Sequence, residues 1–160
     1  SFNGDLSAWN TSSVTNMGWM FSDATLFNGI ISAWNTTSVT NMGWMFDRAS
    51  SFNGDLSAWN TSSVEDMGWM FDGATSFNQD LCAWGETFPY NNAYGLFANS
   101  GCTYQDDPQE NQKGPFCASD CNGYTPSAAP TPKSSGAVYD CGSIFTAAIS
   151  SLVILLGFYQ

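Results

Sequence analysis

"SAWNTSSVTNMGWMF" at residues 7–21 returns as "SAWNTTSVTNMGWMF" at 32–46 and as "SAWNTSSVEDMGWMF" at 57–71. A fixed period of 25 residues is the mark of stacked coils, in which each unit covers the apolar face of the next. Phe2, Phe27, Phe52 and Phe77 fall in register, as do Trp9, Trp34, Trp59 and Trp84. All six methionines occupy two recurring slots, Met17/Met20, Met42/Met45 and Met67/Met70. Within a unit, Val64, Met67 and Phe71 are spaced by 3 and 4, the spacing of one helix face. Ser62 followed by Glu65 fits a capping box at the start of that helix. Residues 6–11 alternate weakly and suggest a short strand, and each Phe-Asn-Gly-Asp reads as a turn. The expected fold is therefore an α/β repeat, a right-handed solenoid with one short strand and one short helix per coil.

The units run 1–25, 26–50 and 51–75, with a degenerate fourth at 76–101 where "PYNNAYGLF" replaces "VEDMGWMF". Pro89 and the asparagines beside it weaken a helix there. An atypical end coil is what a stack needs to avoid a bare apolar face. Residues 102–124 read as a cysteine-rich cap. The chain begins in phase with the later units, which reads as a piece cut from a longer array.

The blocks Trp9, Val14-Thr15-Asn16-Met17, Met20-Phe21 and Phe77-Asn78-Gln79-Asp80-Leu81 resemble those of the BspA-like leucine-rich-repeat surface proteins. The resemblance implies a leucine-rich-repeat-like solenoid on the cell surface, with adhesion or extracellular-matrix contact as its role. It implies no catalytic residues.

Four cysteines, Cys82, Cys102, Cys117 and Cys121, are expected to form two disulfides; four cysteines allow three pairings, and sequence does not choose among them. Their spacings lack the paired knuckles of a zinc site. Asn10, Asn35 and Asn60 each begin an N-glycosylation acceptor triplet, although a ladder of stacked asparagines would leave the same pattern. Residues 125–143 are rich in Pro, Ser, Thr and Ala and read as a stalk. Residues 144–160 carry no charge. They are short for a membrane span and fit a GPI signal with lipid attachment near Ser134, which would also remove Cys141; a retained membrane anchor is the alternative.

The net charge of −11, with 3 basic residues, removes the footprint of a nucleic-acid binder. There is no histidine, and no nucleophile–base pair, phosphate loop or metalloprotease motif appears, so no enzymatic activity and no cofactor is expected. The recurring Asn and Asp of the turns are better suited to holding backbone than Ca²⁺, since Ile30 interrupts the series. Thr11, Thr36 and Thr61 form a row that an ice-binding surface could use, a minor reading. Two tryptophan rows remain. Trp9, Trp34, Trp59 and Trp84 read as core, whereas Trp19, Trp44 and Trp69 point away from the methionine face and are the candidate ligand contacts. The expectation is a non-enzymatic cell-surface protein, anchored in the membrane by its C-terminus, contacting an extracellular protein or a glycan. A carbohydrate-binding module using the outer tryptophans is the alternative.

Overall fold

The computed structural model describes residues 3–125. The stalk from residue 126 onward, Ser134, Cys141 and the apolar tail, to which the lipid-attachment and anchoring expectations belong, lie outside them.

The α/β solenoid is not what forms. Among the described residues the helices are two short 3₁₀ segments, Cys82–Glu86 and Tyr90–Asn92, and the only pairings are isolated bridges rather than strands. Each coil is instead a chain of three-residue turns. Trp59, Val64, Met70, Ala74 and Phe77 donate their N–H to the carbonyls of Leu56, Thr61, Met67, Phe71 and Ala74. Every residue at either end of these turns is buried. The Val64/Met67/Phe71 spacing that suggested a helix instead links separate turns: Val64 closes the turn from Thr61, while Met67 and Phe71 open the turns to Met70 and Ala74. A helix is also blocked locally, because Trp19, Trp44 and Trp69 have φ of 62°, 53° and 56°, in the left-handed region. With no helix to cap, Glu65 is exposed, and its N–H donates to Thr40 of the previous coil. The strand expected at 6–11 is likewise a turn, closed by Trp9 N–H to Leu6.

The coils stack in register. Met17, Trp19, Phe21 and Asp23 donate to the carbonyls of Asn41, Gly43, Met45 and Asp47, and the next coil repeats the pattern against Asp66, Gly68, Met70 and Asp72. Alternate donors of this kind are the pattern of a parallel ladder, here bent by the left-handed residues. One column of phenylalanines, Phe21, Phe46, Phe71 and Phe97, is spaced 5.4, 5.5 and 5.7 Å. A second, Phe27, Phe52 and Phe77, packs against it with ring centroids 4.0 Å apart in each coil. Trp9, Trp34 and Trp59 stack at 6.1 and 6.3 Å. The indole N–H of Trp34, Trp59 and Trp84 donates to Leu6, Ile31 and Leu56 of the preceding coil, so each buried indole satisfies its polar end.

Asparagine ladders do occur, but at another position than the triplets. Asn28, Asn53 and Asn78 each donate N–H to the Oδ1 of Asn3, Asn28 and Asn53, and Thr103 N–H closes the series on Asn78. Two disulfides tie down the C-terminal end, Cys82–Cys121 and Cys102–Cys117.

Candidate functional site

Trp19, Trp44 and Trp69 form an outward row. Trp19 is 56% exposed, and the other two are half-buried. Trp19 and Trp44 lie face to face, with centroids 4.8 Å apart and planes 7° from parallel. Trp19 and Trp44 therefore each cover one face of the other. Among the described residues none accepts a hydrogen bond from these three indole nitrogens, in contrast to those of Trp34, Trp59 and Trp84. Trp69 meets the edge of Tyr94 at 6.2 Å.

A left-handed backbone is costly for a bulky L-residue, about 1–2 kcal/mol. The fourth coil shows the slot without that cost. Trp69 N–H donates to Tyr94 as Trp44 N–H donates to Gly68, which places Gly95, at φ 64°, in the position of Trp69. A second left-handed column runs Asp23, Arg48, Gly73 and Asn99. Its side chains bond along the stack. Arg48 forks onto Asp23 at 2.6 and 2.9 Å and reaches the buried Asp47 at 3.0 Å. The Arg48 hydrogen bond holds the Asp23 carboxyl below the usual carboxylate range.

The row runs toward a cleft in the C-terminal end. This cleft, of about 500 Å³, opens between residues 90–94 and 107–111. Tyr90 forms one wall, its ring edge-on to Phe88 and its hydroxyl donating to Gly85. Burial, with Glu110 and Glu86 nearby, pushes its phenol up to about 12, so it stays a neutral donor. The facing loop is pinned by Asp107, which accepts Leu96 N–H, and by Gln109, which pairs with Gly114.

Asn10, Asn35 and Asn60 are exposed. Their Oδ1 atoms accept from the residue two positions on, including the hydroxyls of Ser12 and Thr37 at 2.8 and 2.6 Å. These are local Asx turns rather than rungs between coils. The middle threonines are buried: Thr11 and Thr36 donate to Asn35 and Asn60 of the next coil, and Thr61 bonds Thr87. The threonine row therefore offers no flat outer face for ice. Asp5, Asp55 and Asp80 cap the N–H of Ser7, Ser57 and Cys82 at 2.9 Å each. Among the described residues no cluster of three metal-ligating side chains occurs.

Sequence reasoning found the outer tryptophans but not their backbone conformation, nor the cleft. The signal for the first was present: Gly73, Gly95 and Asn99 are residue types that tolerate positive φ, and they stand in the same columns as Arg48, Trp69 and Gly73.

Over residues 1–109 the chain matches, and belongs to, the family described as "Mycoplasma protein of unknown function, DUF285". No curated protein and no solved structure matches it.

Proposed function

We propose that the chain is a non-enzymatic cell-surface protein that makes adhesive contact with an extracellular protein through the row Trp19, Trp44 and Trp69. The observation that carries this reading is the use of tryptophan in a left-handed slot that Gly95 fills in the fourth coil. Strain of this sort persists where it serves a site, and exposed indoles are enriched where partners bind. Trp19 and Trp44 stack on each other, and the three indole N–H groups are free among the described residues. Apolar rings with free donors suit the apolar side chains and carbonyl acceptors of a protein. The finer likeness to the BspA-like leucine-rich-repeat surface proteins belongs to the same proposal, carried by the blocks at residues 9, 14–17, 20–21 and 77–81. Two disulfides suit an oxidising, extracellular compartment. The exposed Asn10, Asn35 and Asn60 triplets suit glycosylation there. Anchoring through the C-terminal tail completes the localisation we propose.

A glycan ligand is the second reading, favoured by the tyrosine cleft at the end of the row. Beads carrying the full chain, applied to immobilised extracellular-matrix proteins and to a glycan array, test both. Capture on the protein panel supports the first reading, and capture on the glycan array alone supports the second. Capture on neither contradicts both.

A further inference from the structure

The cleft between residues 90–94 and 107–111 has the makings of a small-molecule site. Its volume of about 500 Å³ falls in the range of ligand pockets. Two tyrosines line it. Tyr94 is exposed and stands edge-on to Trp69, whereas Tyr90 is locked by Phe88 and by its bond to Gly85. Around them stand Asn91, Glu110 and Asn111, all exposed. Among the described residues none of these three side chains is engaged in a hydrogen bond. The wall that carries two of them is nonetheless fixed, because Gln109 and Gly114 pair across its base and Asp107 holds Leu96. Rigid aromatic platforms beside uncommitted amide and carboxylate heads are what a polyhydroxylated ring needs. The rings meet its C–H face, and each planar head group can bridge neighbouring hydroxyls.

Charge decides between sugars. No lysine or arginine lines the cleft, two carboxylates do, and the chain carries −11 overall. An anionic sugar would meet repulsion with no compensating donor charge.

We propose that this cleft binds a neutral saccharide, with Tyr94 and Tyr90 as stacking platforms and Asn91, Glu110 and Asn111 as hydroxyl partners. The proposal rests on the glycan arm of the contact reading and not on the tryptophan row.

Titration calorimetry of the full chain tests it, with cellotetraose, chitotetraose, mannotetraose and laminaritetraose as neutral probes and a heparin tetrasaccharide as the anionic one. At least one neutral probe is expected to bind, and Tyr94→Ala and Asn111→Ala are each expected to weaken it about tenfold. Trp19→Gly is expected to leave that affinity unchanged. Asn111 is exposed and unbonded, so its variant reports on the site even if Tyr94→Ala perturbs folding. No heat with any neutral probe at about 10 mM, tighter binding of the heparin fragment, or full affinity in Asn111→Ala would overturn the proposal. Sugar binding that survives alongside lost protein capture in Trp19→Gly separates this site from the row; protein capture with no sugar binding leaves the row standing alone.

Discussion

In the second and third coils tryptophan does two different jobs ten positions apart. Trp59 is 3% exposed, stacks on Trp34 and donates to Ile31. Trp59→Ala removes a large buried ring and orphans that carbonyl, and denaturant melts are expected to show a loss of about 3–5 kcal/mol. Gly95 tests the outer row from the other side. A Cβ there would meet Trp69 Cε3 at 2.6 Å on a backbone at φ 64°. Gly95→Ala is therefore expected to cost about 1–3 kcal/mol, and an unchanged melt would remove the claim that the slot is both left-handed and crowded. At this scale the sequence was partly readable. The reading of the first row as core holds for Trp34, Trp59 and Trp84 and fails for Trp9, which is 57% exposed. The backbone conformation of the outer row was not readable, since residue type gives little warning when an aromatic sits where glycine or asparagine is usual.

At the scale of the element, period and register were legible and secondary structure was not. A residue spacing of 3 and 4 fits one face of a helix, and it fits consecutive three-residue turns equally well. What separates them is the left-handed residue after every Met-Gly, which sends the N–H of Trp44 to Gly68 of the next coil rather than back along its own. The fourth coil was legible as an ending, and Phe97 does stack on Phe71 after the one-residue insertion. Disulfide pairing was open because nothing local distinguishes the three arrangements. The stack decides it, by bringing Cys82 to 5.5 Å from Cys121 and Cys102 to 4.6 Å from Cys117, measured between Cα atoms. The two bridges span 39 and 15 residues, for which chain entropy gives about 4 and about 3 kcal/mol. Replacing Cys82 and Cys121 by Ser is expected to lower stability more than replacing Cys102 and Cys117. The denatured, unreduced chain is expected to show at most one titratable thiol, that of Cys141; two or more would contradict the pairing.

For the whole molecule, stacking makes every interior coil dependent on its neighbours, so stability is shared along the phenylalanine columns and the hydrogen bonds between coils. A net charge of −11 repels polyanions in general, and the contacts we propose are made through apolar rings and a polar cleft. The central claim is that the outer tryptophans serve contact and not folding. It is tested most directly by measuring thermal stability and bead capture together on Trp19→Gly and on the pair Trp19→Gly/Trp44→Gly. At Trp19 the relief of left-handed strain, about 1–2 kcal/mol, opposes the unfolded-state entropy of glycine, about 0.5–1 kcal/mol, and the lost stack on Trp44, about 0.5–1.5 kcal/mol. The account expects Trp19→Gly to melt within about 1 kcal/mol of the parent chain, with protein capture falling at the first substitution and lost at the second. Capture retained by a folded double variant would contradict it.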